Sequence, residues 1–298
     1  MIGEFSALAA ALSWTVSAVL YKRVLATADP LAANTLRCIG TGLVLVLVSA
    51  FLWTMHVRLE LQLYAVFLAC ASGVVGLGLG DTFYMLSLRT LGVSIAVPIT
   101  CAYPLFNIVW AYLLVGETVT FQTVAGAFVI VFGAWLLSLE KPVASAGKHE
   151  SMFRLKGLVY AFSAALAWSI SISMVNLALK SFSSIGQAFF LNVFRVVAAA
   201  FTLLFFSVFK CGVNGFAGVG WKNFAMLLAG GLVAAGVGWF LLAYSLTLIP
   251  EAQAVPISST TPLFSTLVSL VFLHEKATVK VALGSVMVVA GIFMVFMA

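Results

Sequence analysis

Charge is almost absent from long stretches of this chain, and that limits its fold before any motif does. Residues 31–53 carry a single charged side chain, Arg37, and include the run Leu43-Val44-Leu45-Val46-Leu47-Val48. Such a run does not alternate in polarity, as a lipid-facing barrel strand must. A helix needs about 20 apolar residues to cross roughly 30 Å of hydrocarbon. Apolar stretches of that length predict spans at 3–21, 31–53, 62–88, 93–114, 122–139, 157–179, 187–209, 223–248, 253–273 and 280–297. Charged residues make up only 8% of the chain, against about 25% in soluble globular proteins. Too few remain to cover a water-facing surface, so lipid is the main solvent. The expected fold class is an all-α integral membrane protein with ten transmembrane helices.

Several functions are excluded on the same grounds. The net charge of +6 comes from Lys and Arg placed mainly between spans, which is no nucleic-acid footprint. Call the two faces of the membrane by the N-terminus. Arg58 and Lys180 fall on its face. Lys22, Arg23, Arg89, Lys141, Lys148, Arg154, Lys156, Lys210, Lys222, Lys276 and Lys280 fall on the other. Cytoplasmic loops carry the Lys/Arg excess, so both termini are expected on the non-cytoplasmic side of a plasma (inner) membrane. The first span lacks a basic n-region, since Glu4 is the only charge before Lys22, and is not a cleavable signal. Cys38, Cys70, Cys101 and Cys211 show no C-x-x-C spacing and read as buried small residues. His56, His149 and His274 form no cluster. No metal site, cofactor or catalytic set can be assembled, and no Walker motif points to ATP.

The chain also repeats itself. Asn34-Thr-Leu-Arg37 matches Asn192-Val-Phe-Arg195, 158 residues on. At that register Gly73, Gly78 and Gly80 fall on Gly231, Gly236 and Gly238, and Ala96-Val-Pro-Ile99 on Ala254-Val-Pro-Ile257. Pro104-Leu-Phe106 falls on Pro262-Leu-Phe264, Glu117 on Glu275, and Gly126 and Gly133 on Gly284 and Gly291. Trp14 and Trp168 correspond at 154. Residues 1–139 and 157–298 are thus expected as two units of five helices, joined by a polar linker at 140–156. Five is odd, so the second unit enters the membrane from the opposite face. Such inverted repeats mark transporters that alternate access around a site near the midplane.

The duplicated unit and the signature that closes each copy resemble the EamA family of the drug/metabolite transporter (DMT) superfamily. The signature runs Val97-Pro98-Ile99, Pro104-Leu105, Gly116-Glu117, Thr120 and Gly126, then Val255-Pro256-Ile257, Pro262-Leu263, His274-Glu275, Thr278 and Gly284. His274 stands where the first copy has Gly116. The resemblance implies a ten-helix carrier that exports amino acids or other small metabolites without hydrolysing ATP.

Candidate site residues follow from cost. The pairs Pro98 and Pro104, Pro256 and Pro262 break helices that either line a cavity or are simply kinked for packing. Polar neighbours Tyr103, Asn107, Ser258, Ser259, Thr260 and Thr261 favour the cavity. Arg37 and Asp81 both lie roughly 10 Å deep at 1.5 Å per residue. They form either a structural ion pair or a coupling site at which Asp81 takes a proton. Arg195 has Trp239 where its repeat-mate has Asp81. It either receives an anionic substrate group or reaches carbonyls, headgroups or Glu251. Trp14, Trp168, Tyr84, Tyr103, Trp239 and Tyr244 lie well inside spans and suit an organic ligand. The run Gly73, Gly76, Gly78, Gly80 reads as close helix packing, not a phosphate loop. Glu117 and Glu275 are expected to cap or anchor the hairpins they adjoin. The leading reading is a secondary transporter for a small organic metabolite, with H+ a candidate coupling ion. The runner-up, an intramembrane enzyme for a lipid-like substrate, would need clustered acids that the sequence disperses.

Overall fold

The computed structural model describes residues 1–54, 62–91, 96, 99–138, 151–180, 185–211, 216, 219–264, 267 and 278–298. Among the described residues every regular element is helical. The first half holds α1 (Ile2–Val24), α2 (Pro30–Thr54) and α3 (Leu63–Ser72), which passes through a π-helical segment, Gly73–Gly80, into α4 (Asp81–Leu91). Then come α5 (Tyr103–Trp110), with a π-helical last turn at Ala111–Val115, and α6 (Phe121–Ser138). The second half holds α7 (Ser151–Leu179), α8 (Ile185–Cys211) and α9 (Trp221–Gly231). A second π-helical segment, Leu232–Gly238, leads into α10 (Trp239–Leu246), followed by α11 (Glu251–Ser258) and α12 (Val279–Phe296).

Six stretches are long and apolar enough to cross a membrane: Ile2–Tyr21, Pro30–Thr54, Leu63–Leu91, Leu155–Leu179, Gly186–Lys210 and Trp221–Leu246. Tyr103–Val115, Phe121–Leu137 and Ala282–Phe296 are shorter apolar helices. The linker boundary differs from expectation, and the expected spans 93–114 and 253–273 are each interrupted by a turn, at 101–102 and 259–260. Helix α7 starts at Ser151, inside the stretch 140–156 read as linker. No Pro or Gly separates Ser151 from Lys156, so the helix propagates back from its apolar span. Pro98, His274, Glu275 and residues 139–150 lie outside the described residues.

The helices share two ends. At the N-terminal end Gly3 packs on Ile249, Lys180 donates to the Val115 carbonyl, and Glu117 reaches the start of α11. At the opposite end Asp29 and Arg89 pair at 3.6 Å, Asn223 bonds Thr27, and Gly157 packs on Thr90 and Leu91. Between them the halves interlock. α2 lies on α8 and α6 on α12; α1 packs on α9, α10 and α11 much as α7 packs on α3, α4 and α5.

The motif Asn-x-x-Arg now has a reason. A π-helical segment leaves carbonyls without their usual i+4 partner, and lipid supplies none. Asn34 Nδ2 donates to Leu77 O at 2.9 Å and Gly78 O at 3.5 Å. Asn192 Nδ2 donates to Ala235 O at 2.7 Å and Gly236 O at 3.4 Å. Glycines let other backbone and side chains come close to these segments. A Cβ at Gly73 would sit 2.0 Å from Arg195 O, and one at Gly231 2.1 Å from Thr41 Oγ1. Likewise Gly80 faces the Trp168 indole and Gly238 the Trp14 indole.

The α6–α12 contact is equally close. A Cβ on Gly133 would lie 2.8 Å from Gly284 O, and one on Gly126 2.9 Å from Gly291 O. Backbone cannot step aside as a side chain can. Gly133→Leu should therefore cost at least the ~1–3 kcal/mol of ordinary overpacking. In detergent it should lower the thermal midpoint and the monodisperse yield by size-exclusion chromatography. An unchanged profile would show that these helices are not held backbone to backbone.

Candidate functional site

The two halves enclose a cavity lined by Trp14, Ser17 and Tyr21 of α1, Arg37 of α2, and Asp81, Tyr84 and Met85 of α4. Trp168 and Ile172 of α7, Ala234 of the second π-helical segment, and Trp239 of α10 complete its other side. Two broken helices form its floor. The chain turns at Cys101-Ala102 just before α5 and at Ser259-Thr260 just after α11, which are equivalent positions in the 158-residue register. Thr100, Cys101, Tyr103, Ser259 and Thr261 face the cavity there. Pro104 lies at the start of α5 rather than inside it, while Pro256 lies within α11. Pro262 follows the second turn.

The wall is aromatic and cross-braced. Trp168 packs against Tyr84 at 5.1 Å and edge-on to Tyr103 at 6.0 Å between ring centroids. Trp14 packs on Trp239 at 5.6 Å. Tyr103 Oη shares a hydrogen bond with Ser258 Oγ at 3.2 Å. Asp81 joins three elements from both halves. Its Oδ2 accepts from Arg37 Nη2 at 2.5 Å, and its Oδ1 from Trp168 Nε1 at 2.8 Å. Arg37 also lies over the Tyr21 ring at 5.4 Å.

Arg195 does not line the cavity. Its guanidinium stacks behind Trp239, 4.0 Å from the ring centroid, and its donors go to Ser72 Oγ at 2.6 Å, Ser171 Oγ at 3.3 Å and Asn192 Oδ1 at 3.5 Å. The expectation of an unpartnered arginine treated Trp239 only as a missing carboxylate. An indole face is itself a partner for a desolvated guanidinium. Tyr244, Asn107 and Ser258 also lie outside the lining.

Asn107 belongs to a second polar cluster, about one turn from Tyr103 toward the N-terminal end. Glu251, wholly buried, accepts from Asn107 Nδ2 at 2.5 Å, Asn176 Nδ2 at 2.8 Å and Ser173 Oγ. Glu117 caps α11, not its own hairpin. Its Oε1 accepts from Glu251 N at 2.9 Å and its Oε2 from Ala252 N at 3.0 Å. The predicted spans leave Glu251 in a loop and give Tyr21, Ser17 and Thr100 no part in a site, whereas Ser259 and Thr261 are among the polar neighbours that favour a cavity. A signal for them was the pair of turn positions, Cys101-Ala102 and Ser259-Thr260, which coincide in the repeat. Among the described residues no group of His, Cys, Asp and Glu could hold a metal.

A bundle of apolar helices around a partly polar, aromatic chamber defines a multi-pass membrane protein built to admit a small molecule. The family model for EamA-like transporters matches residues 1–139 and 155–297, and the chain belongs to that family. It is 23% identical over 298 residues to an "Uncharacterized transporter" of Archaeoglobus fulgidus, covering 100% of this chain and 96% of that one. It is 24% identical over 287 residues to "Uncharacterized transporter YvbV" of Bacillus subtilis, covering 95% and 87%. "Protein LicB" of Haemophilus influenzae matches over 122 residues at 25%, covering 41% of this chain and 39% of that protein. One solved crystal structure shares the fold with a TM-score of 0.78 at 16% identity, covering 99% of this chain and 96% of that one.

Removing one member of a buried ion pair strands the other, at a typical cost of about 3–5 kcal/mol. Asp81→Asn should therefore lower the thermal midpoint sharply. Arg37→Gln/Asp81→Asn, which strands neither charge, should recover part of the loss. Equal losses in both variants would show that the pair is not what holds α2, α4 and α7 together.

Proposed function

We propose that this protein is a secondary transporter. It moves a small organic metabolite, an amino acid or related compound, across the plasma membrane by alternating access, in the direction of export. Its ten spans form two inverted five-helix units, and the cavity between them carries the substrate. The observation that carries this reading is the chamber itself: both halves supply its wall, and its floor is two helix breaks at equivalent repeat positions. Discontinuous helices near the midplane are where transporters bind their cargo.

The wall suits a neutral or internally compensated ligand with an apolar body. Arg37 and Asp81 spend their charges on each other, leaving Trp14, Trp168, Trp239, Tyr84 and Tyr103 to supply surface. The buried Tyr21 hydroxyl and Ser17, Ser259 and Thr261 supply polar contacts. Arg195 serves as a brace behind Trp239. On the charge bias, the opposite end faces the cytoplasm and both termini face outward.

Thermal shift tests the site. A ligand bound only to the folded protein at 100 times its Kd adds about 2.7 kcal/mol of stability. Amino acids, nucleosides, sugars and aromatic metabolites should yield a stabilising ligand, and Tyr21→Phe and Trp168→Phe should weaken its effect while Arg195→Lys leaves it. A hit that depends on Arg195 and not on the aromatics would overturn this assignment. For orientation, a C-terminal phosphatase fusion should be active and a fluorescent-protein fusion dark; the reverse result would invert it.

A further inference from the structure

Two buried carboxylates sit between the halves, and their partners differ in kind. Asp81 accepts from Arg37 and from the Trp168 indole. Neither group has an acceptor to offer, so a proton on Asp81 would set donor against donor and strand the guanidinium. Glu251 has no cation partner among the described residues. It accepts from two amides and a hydroxyl, and the hydroxyl can reverse. Ser173 Oγ also lies 3.4 Å from Ser169 O. With Glu251 ionised, the Ser173 hydroxyl donates to the carboxylate. With Glu251 protonated, it turns to the Ser169 carbonyl and accepts the new O–H. The cluster thus accommodates both protonation states with no heavy atom displaced.

Its place in the fold gives the proton something to do. Asn107 and Glu117 come from the first half, while Ser173, Asn176 and Glu251 come from the second. Together they fill the bundle between the cavity floor and the N-terminal end, where all but Glu117 are buried. Asn176 Nδ2 bridges the two acids, donating to Glu251 Oε2 at 2.8 Å and Glu117 Oε1 at 3.1 Å. The titratable groups on the surrounding elements are few. Glu117 is adjacent. Lys180, at the end of α7, is held by the Val115 carbonyl, and Tyr103 of α5 is bonded to Ser258. Glu4 of α1 pairs with the N-terminal amine, α10 carries Tyr244, α6 carries no ionisable group, and α12 has only Lys280 at its far start.

We propose that Glu251 is the proton-binding carboxylate of this transporter, and that its protonation changes loosen or set the polar plug that closes the N-terminal end behind the cavity. Coupling thereby passes from Asp81, the candidate that sequence suggested, to a residue with no acidic counterpart in the first repeat, where Val93 occupies the position. This rests on the transporter reading, but proton binding can be read without any substrate.

The test is infrared titration of the purified protein in lipid, with the hydrogen ion as the only probe. Lowering the pH should bring up the carbonyl stretch of a protonated, buried carboxyl group. That band should vanish in Glu251→Gln and persist in Arg37→Gln/Asp81→Asn. In Ser173→Ala, which keeps the carboxyl but removes the reversible hydroxyl, the band should remain with a displaced frequency and midpoint. Each variant is first required to elute as a single species. A band that survives Glu251→Gln, or one that never responds to pH, overturns the proposal. The transporter reading fails separately: if reconstituted protein accumulates no solute at any pH, the band still reports which carboxyl binds the proton. If solute moves down its own gradient in Glu251→Gln but pH-driven accumulation is lost, both stand.

Discussion

A backbone carbonyl buried away from water must find a donor, and this fold is arranged around two places where regular helix does not provide one. The π-helical segments Gly73–Gly80 and Leu232–Gly238 sit at the centre of the bundle. Asn34 and Asn192 bond the carbonyls left over, and Trp14 Nε1 adds a bond to Ala234 O at 3.3 Å. Because Asn34 and Asn192 sit one turn before Arg37 and Arg195, satisfying the carbonyls also fixes where the two buried arginines stand. Glycines within and beside the segments then let the opposite half approach almost to backbone contact. Local hydrogen-bond deficit, glycine placement and the docking of the two halves are one constraint seen at three scales.

Within that shared frame the halves diverge, and the divergence makes the chemistry. On one side Arg37 meets a carboxylate; on the other Arg195 meets the face of Trp239. The first arrangement ties α2, α4 and α7 by charge. The second turns the same register position into an aromatic wall. Trp168 donates to Asp81, whereas its counterpart Trp14 donates to a backbone carbonyl and lies on Trp239. The chamber is therefore charged but compensated on one flank and apolar on the other.

Much of this was legible in the sequence. Scarcity of charge pointed to lipid as the solvent, apolar length marked the six long spans, and the Asn-x-x-Arg and glycine registers marked close contacts between the halves. Equal depth made an Arg37–Asp81 pair possible, and the structure brings the two together. What failed to show was interaction across the repeat. Trp239 looked like an absence because a ring is not written as a counter-ion. Glu117 looked like a hairpin cap because its true target, the start of α11, is 134 residues away in sequence. Glu251 looked like a loop residue because the polarity that buries it comes from Asn107, Ser173 and Asn176, on two other helices. Tyr21 was hidden for the opposite reason, being at a span end where tyrosine is ordinary.

Distance measurement across both ends of the bundle tests the central claim, that two halves rock about the aromatic chamber. Spin labels at Thr118 and Thr247 report the N-terminal end, and labels at Arg89 and Lys222 the opposite end; all four positions are exposed. In lipid, across a pH series and with a stabilising ligand, the account predicts two distance populations at each end. As one end widens, the other narrows. A single unchanging distribution at both ends, under conditions where the same protein transports, would contradict alternating access.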